Sequence, residues 1–274
     1  MSNAVELAQA RRDRIGASQY TGRAHILLER SLLAFRNSMW LAVVSGFLEP
    51  VLYLLSFGYG LGHLIGAISL PHHHVVSYAA FIAPGLLATS AMNGAIYDST
   101  WNVFFKLKHD RIYQGMLQTS MGPLDVALGE ISWSLLRGLS YAIGFMAVVA
   151  PMGLIESWWG IAAIPCAVLI AFGFAAIGMG ITSCFKSYQQ MDMINIVMLP
   201  MFLFSGSFYP LTVYSGFIQG VIKSLPLWQA IDLIRSLTLG EISMGIVYHL
   251  AYFGVMVAIG LTITTRRLTK LFLR

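Results

Sequence analysis

Between Lys106 and Arg111 the sequence reads KLKHDR, with three cations, a histidine and an aspartate within six positions. His109 beside Asp110 is the kind of pair a general acid–base catalyst uses. Adjacent residues on a helix point about 100° apart, however, so these two side chains do not converge on one substrate atom. The string nearest to a phosphate-binding loop is GITSCFKS, Gly180–Ser187. Such a loop needs glycines so that backbone N–H groups can approach phosphate, then Lys and Ser/Thr for phosphate and magnesium. Phe185 stands where the second glycine must be and no strand precedes it, so the string is not a nucleotide site. His72, His73 and His74 have no second cluster of ligands and read as a solvated loop, not a metal site. Cys166 and Cys184 fall inside apolar runs and read as packing residues, not as a disulfide or metal pair. No catalytic residue, metal site or bound cofactor is expected in this chain.

Two charges lie deep in apolar sequence. Glu49 and Arg137 each stand ten or so residues into a run, about 15 Å along a helix. A lone charge at that depth costs about 2.5–3.5 kcal/mol and seeks a partner or water. Equal depth predicts a Glu49–Arg137 ion pair, static or acting as a gate contact, with Pro50 bending the helix beside it. Asp98 and Glu130 lie nearer the ends of their runs, within reach of water and of Lys106 or Lys108. Asp192 is expected at a helix N-terminus, favoured there by the dipole.

The elements that position these residues follow from composition. Of 274 residues 57% are hydrophobic and 11% charged, and the mean hydropathy is +0.71. A chain of this kind faces lipid. Six apolar runs are expected to span: Met39–Phe57, Tyr78–Thr100, Val126–Ala150, Ile161–Cys184, Met193–Phe208 and Met244–Thr264. The net charge of +5 does not point to nucleic acid, because the cations flank these runs. One side receives Arg11, Arg12, Arg14, Arg23, Arg30, Arg36, Lys106, Lys108, Arg111, Lys186, Arg266, Arg267, Lys270 and Arg274; the other receives Lys223 and Arg235. That asymmetry predicts both termini in the cytoplasm. No secretory signal peptide is expected: residues 1–38 read as a polar, basic cytoplasmic segment. Within it Ala24, Leu28, Leu32, Phe35 and Met39 recur at helical spacing opposite Arg23, Arg30 and Asn37, as in an amphipathic interfacial helix. Residues 209–240 are apolar but broken by Pro210, Gly216, Pro226, Asp232 and Arg235, and predict a re-entrant pair of short outer-leaflet helices. Residues 265–274 form a basic cytoplasmic tail. The fold class is an all-α integral membrane protein with a six-span domain over 39–264.

The loop 101–125 contains a further pattern. Ile112, Tyr113, Met116 and Leu117 put an apolar face on a short helix, and Gly122–Pro123 ends it. Such a helix docks on a cytoplasmic partner or on the lipid surface. The segments FLEPVLYLLSFGYGLG (47–62), FIAPGLLATSAMNGAIYDST (81–100), YQGMLQTSMGPLDVALGEISWSLLRG (113–138), LFSGSFYPL (203–211) and LPLWQAIDLIRSLTLG (225–240) resemble the permease subunits of type 2 ABC exporters, the ABC-2 permeases. The subgroup they are most similar to is that of nodulation lipo-oligosaccharide and daunorubicin-type permeases. Asp98 stands where glutamate is more usual in that family. The resemblance implies that Ile112, Tyr113, Met116 and Leu117 belong to a coupling helix. That helix would dock on a separate ATPase, present in two copies and carrying the ATP and magnesium. It also implies a permease homodimer in a bacterial inner membrane. Spans one and five would flank the path, with Tyr53, Phe57, Phe202 and Phe204 as lining residues. The expected function is export of an amphipathic substrate, a lipid-linked saccharide or hydrophobic drug, with no covalent chemistry by this chain. An ion-gradient transporter is the alternative, though Glu49 is its sole mid-depth carboxylate and no internal repeat accompanies it.

Overall fold

The computed structural model describes residues 22–35, 39–69, 75–110, 112–119 and 121–272. The N-terminal twenty-one residues, Arg36, Asn37, the His72–His74 run, Arg111 and Arg274 lie outside them. Helix α1 covers Ala24–Phe35. Helix α2, Met39–Tyr53, continues through π-helical turns over Leu54–Leu61 and a last α-helical turn, Gly62–Ile65. A short antiparallel hairpin follows, β1 (Ala67–Ser69) against β2 (Val75–Ser77), with Ile68 opposite Val76. This modifies the all-α expectation: Gly66, at φ +75°, turns the chain out of the helix, and β-branched Ile68, Val75 and Val76 suit a strand. Ser77 then caps α3 (Tyr78–Tyr97), its Oγ accepting from Ala80 N at 3.2 Å.

Helix α3 does not stop at the end of its apolar run. It continues through π-helical turns to His109, so residues 101–109 are helix and not loop. Next come α4 (Ile112–Leu117), α5 (Pro123–Val149) and α6 (Ala163–Thr182), the last preceded by a 3-10 turn at Trp158–Ala162. Helix α7 covers only Asp192–Leu203, 12 residues or about 18 Å, well short of the fifth expected run and of a ~30 Å hydrocarbon core. Two short helices, α8 (Gly216–Ser224) and α9 (Pro226–Leu239), precede α10, which runs from Gly245 to Phe272. Arg266, Arg267 and Lys270 therefore ride on α10 and not on a separate tail. Four stretches among the described residues are long and apolar enough to cross a membrane: Tyr78–His109, Pro123–Val149, Trp158–Thr182 and Gly245–Leu271.

Close contacts fix the relative directions of the helices. Gly46 of α2 and Gly94 of α3 both abut the Tyr141 ring of α5, and Gly58 of α2 abuts Ala79. Helices α2 and α3 are therefore antiparallel, as are α3 and α5. Gly173 meets Phe253, Ala176 meets Gly260, and Gly180 meets Ile263, so α6 and α10 run parallel. A Cβ on Gly260 would come within 2.4 Å of the Ala176 backbone. Small residues of this kind let helices approach where lipid supplies no hydrophobic drive. Helix α3 is buried almost all round, with α5, α6 and α9 packed against it. Helix α1 lies on α5, burying Leu27 and Ser31 and setting Phe35 5.2 Å from Trp133. Its outward side carries Ile26 and Leu33 beside Arg23 and Arg30.

Candidate functional site

Two places gather polar side chains inside this helical frame. The first lies where α4 meets the ends of α3 and α5. Lys106 Nζ lies 2.6 Å from Glu130 Oε2, and the carboxylate is buried. Tyr113 of α4 is fully buried with its hydroxyl facing Glu130. Neither that hydroxyl nor Glu130 Oε1 makes a hydrogen bond among the described residues. Burial pushes the Tyr113 pKa well above the ordinary tyrosine value, the Glu130 carboxylate pushes the same way, and Arg30 opposes. The hydroxyl thus keeps its proton beside the Glu130 carboxylate.

Leu117 is buried as well, while Ile112 and Met116 are half-buried. The apolar face of α4 is occupied in seating it on the protein. This corrects the expectation that Ile112, Tyr113, Met116 and Leu117 face a partner: a helix of 6 residues is unstable alone and needs tertiary packing. Gln114, Gly115, Gln118 and Thr119 form its free side. A Cβ on Gly115 would meet only open space. Asp125 accepts from Gly122 N at 2.8 Å and from Arg23 N at 3.0 Å, so it caps α5 and ties α1 to the same corner.

Two turns further along α5, Arg137 Nε lies 2.8 Å from Asp98 Oδ2, although its N–H is not aimed at that oxygen. Asn102 Nδ2 donates to Asp98 Oδ1, and the Arg137 guanidinium sits 5.4 Å from the centre of the Phe35 ring. Two expectations are corrected. Arg137 pairs with Asp98 and not with Glu49, and Asp98 and Glu130 are buried beside cations instead of reaching water.

Glu49 faces the second place, a cleft between α2, α3 and α7. One part, about 430 Å³, is lined by Glu49, Tyr53, Thr89, Asn93, Asn195 and Phe202 among others. The adjoining part, about 570 Å³, extends from the same Glu49, Asn93 and Asn195 to Asn102, Arg137 and Tyr141. Among the described residues Glu49 has no ion-pair partner. Tyr53 and Phe202 line the cleft with ring centres 6.2 Å apart. Phe57 stacks behind Tyr53 at 5.9 Å and meets Phe208 at 5.3 Å. Phe204 is the exception: it is exposed and packs 6.3 Å from Tyr214, because the chain leaves α7 there for the turn at Gly206.

Sequence reasoning passed over Thr89, Asn93 and Asn195, whose signal was available as polar side chains inside apolar runs. It passed over Arg235 as a structural residue too. Arg235 is half-buried, donates from Nη2 to Gly206 O at 3.0 Å and Phe81 O at 3.3 Å, and lies 4.1 Å from the Phe81 ring centre. Its neighbour Asp232 sits 3.1 Å from His249 Nε2, while Gln229 meets His249 Nδ1. These contacts fasten α9 to α3, to the turn after α7 and to α10.

A helical membrane domain with a charged, helix-bearing corner and a polar intramembrane cleft has the parts of a transport subunit, and the chain belongs to the ABC-2 type transporter family, whose model matches residues 23–239. Family members are membrane subunits that work with an ATPase partner. Curated relatives agree with this membership. Nodulation protein J of Rhizobium leguminosarum bv. viciae is 28% identical over 246 residues, covering 89% of this chain and 93% of the relative. Nodulation protein J of Rhizobium meliloti (strain 1021) is 30% identical over 213 residues, covering 77% and 79%. The inner membrane transport permease YadH of Escherichia coli (strain K12) is 26% identical over 210 residues, covering 75% and 77%.

Proposed function

We propose that this chain is the permease of an ATP-driven exporter in a bacterial inner membrane. Two copies enclose a path for an amphipathic substrate, a lipid-linked saccharide or hydrophobic drug. Two cytoplasmic ATPase subunits hold ATP and magnesium and grip the α4 corner of each permease. Both termini are cytoplasmic, and the chain crosses six times. The helix directions support that count. Because α6 and α10 are parallel, the chain between them must return once across the membrane, and α7 with the re-entrant pair α8–α9 supplies most of the helix for that return among the described residues.

The observation that carries the coupling reading is the seat of α4. Tyr113, Glu130 and Lys106 join α4 to α5 and α3 in one buried cluster. A push on the free side of α4 is transmitted directly to two candidate spans, one of which, α3, forms a wall of the cleft. The free side is Gln114, Gly115, Gln118 and Thr119, with the half-buried Ile112 and Met116 at its edges.

The test is co-purification with co-expressed ABC ATPase subunits from the same genome, comparing wild type with Gly115→Trp. Tryptophan there projects into open space, so the permease folds and inserts while docking is blocked. We expect a stable complex with wild type and none with Gly115→Trp. Leu117→Asp is unsuited to the purpose, because a buried carboxylate would unfold the seat itself. A wild-type permease that never holds an ATPase would sink the reading in favour of ion-gradient transport.

A further inference from the structure

Helix α7 has a second cavity on its other side. About 300 Å³ of space lies between α3, α6, α7 and α10, walled by Phe174, Ile177, Met193, Val197, Met201 and Met256 among others. Every side chain just named is apolar. Along α7 the slot extends from Met193 to Met201, about 12 Å, close to the ~15 Å depth of one leaflet of hydrocarbon. The polar cleft and this slot are neighbours. Ile96, Ile194 and Met198 line both. The partition is therefore a single layer of side chains on α3 and α7, and its most central member, Met198, is an unbranched and adaptable one. On α7 itself Asn195 and Phe202 face the cleft while Val197 and Met201 face the slot.

From these two adjoining cavities we propose that one permease holds a single amphiphile divided across α7, with its head in the polar cleft and its alkyl chain in the apolar slot. This rests on the export reading and adds the substrate class. The head is rich in hydrogen-bond donors. Glu49 is an acceptor lacking an ion-pair partner among the described residues, and it stands beside the Asn93 and Asn195 carboxamides and the Thr89 hydroxyl. An ionised carboxylate only accepts hydrogen bonds, so it selects an ammonium or a polyol and repels an anion. Arg137, the cation at the far end of the cleft, is already engaged by Asp98. The tail is a single chain, because the slot offers about 300 Å³ of apolar-lined space about one leaflet deep. Lipid tails are as apolar as the slot, so the chain alone gives little selectivity. The Glu49 end supplies it.

Three single-chain probes test this, each with a photoreactive diazirine near the chain terminus and an ammonium, glucosyl or sulfate head. Purified permease in phospholipid nanodiscs is irradiated with each, and the labelled residues are mapped. The ammonium or glucosyl probe is expected to label Val197, Met201 or Met256. Glu49→Gln should lower that labelling about tenfold for the ammonium probe, the size of one charge-assisted hydrogen bond. Asn195→Leu should lower it for the glucosyl probe, so the two arms distinguish the sources of donors. Val197→Trp fills the slot and should remove slot labelling for both. Equal labelling by the sulfate probe would overturn the proposal, and so would labelling that persists in Glu49→Gln and Asn195→Leu. Either result would mean that an ordinary membrane lipid occupies the slot. Labelling unchanged by Val197→Trp would put the tail elsewhere and overturn it too. The ATPase complex is measured on the same preparation. A complex without head-dependent labelling defeats the split site and leaves the export reading standing, whereas head-dependent labelling without a complex does the reverse.

Discussion

Glu130 pairs with the Lys106 ammonium at 2.6 Å while buried, and the Tyr113 hydroxyl faces it. Removing one member of a buried pair leaves an uncompensated charge and costs about 3–5 kcal/mol. Glu130→Gln should therefore destabilise the permease toward the low end of that range, since Lys106 keeps 17% of its side chain exposed and can partly rehydrate. Tyr113→Phe should cost less than about 1 kcal/mol, because the buried hydroxyl makes no hydrogen bond to lose. Thermal unfolding in nanodiscs reads both, and a Glu130→Gln protein as stable as wild type would remove the cluster from the argument. The Lys106–Glu130 partnership is the kind of contact a sequence suggests, because both residues are charged and flank one loop. Glu49–Arg137 was misread for a definable reason. Depth along a helix is an axial coordinate, and an ion pair needs the azimuth too. Arg137 is seven residues from Glu130 and shares its face of α5, and Asp98 is eight from Lys106 on α3. The two pairs are therefore successive rungs between the same two helices, which leaves Glu49 to the cleft.

At the scale of elements, α2, α3 and α5 are locked by one ring. The Tyr141 ring occupies space that a Cβ would need at both Gly46 and Gly94, within 2.0 Å and 2.7 Å respectively. A contact of 2.0 Å cannot be relieved by small adjustments, and overpacking of this kind costs about 1–3 kcal/mol or more. Gly46→Ala should lower the unfolding temperature, and adding Tyr141→Ala should restore part of the loss by vacating the space. If the double variant is no more stable than Gly46→Ala alone, the ring is not what fixes the helix spacing. The sequence makes α2, α3 and α5 visible as apolar runs, but it does not say which glycines meet which ring, since that depends on helix rotation. Helix α4 shows the same limit. Its spacing of Ile112, Tyr113, Met116 and Leu117 identifies an apolar face correctly, yet an apolar face seats a helix on its own protein as readily as on a partner. The extension of α3 to His109 was also hidden, because Lys106, Lys108 and His109 look like loop until the partner of Lys106 on α5 is known.

For the whole molecule, the direction of each helix constrains how the chain can sit in a bilayer. Arg267 Nε donates to Cys184 Sγ at 3.1 Å, so the last turns of α10 and the end of α6 lie on one side. Trp158, 86% exposed, stands at the opposite end of the Trp158–Thr182 stretch. Under the six-crossing arrangement the first end is cytoplasmic and the second external, in line with cations gathered near Cys184 and a bulky aromatic at the other interface. Cys184 is exposed, which makes it a native reporter. A membrane-impermeant maleimide added to intact cells should leave Cys184 unmodified and react with it only after permeabilisation. Trp158→Cys, introduced in a variant lacking Cys166 and Cys184, should react without permeabilisation. The opposite pair of results would invert the topology and move α4 to the outside, where no ATPase could reach it. Reaction of both positions from one side would instead deny that Trp158–Thr182 crosses at all. Under the same six-crossing arrangement the short α7 has a further consequence, because 18 Å of helix leaves the outer part of the return crossing to α8–α9. That pair is fastened by Arg235 to Gly206 and Phe81, and by Asp232 and Gln229 to His249. Arg235→Leu should free the Gly206 and Phe81 carbonyls from their shared donor and loosen the pair. A cysteine at Phe217, exposed on α8, should then react faster with the same external maleimide than it does with Arg235 in place. An unchanged rate would mean that the hairpin is held without the arginine, and that the outer closure belongs to the apolar packing of α9 against α3 alone.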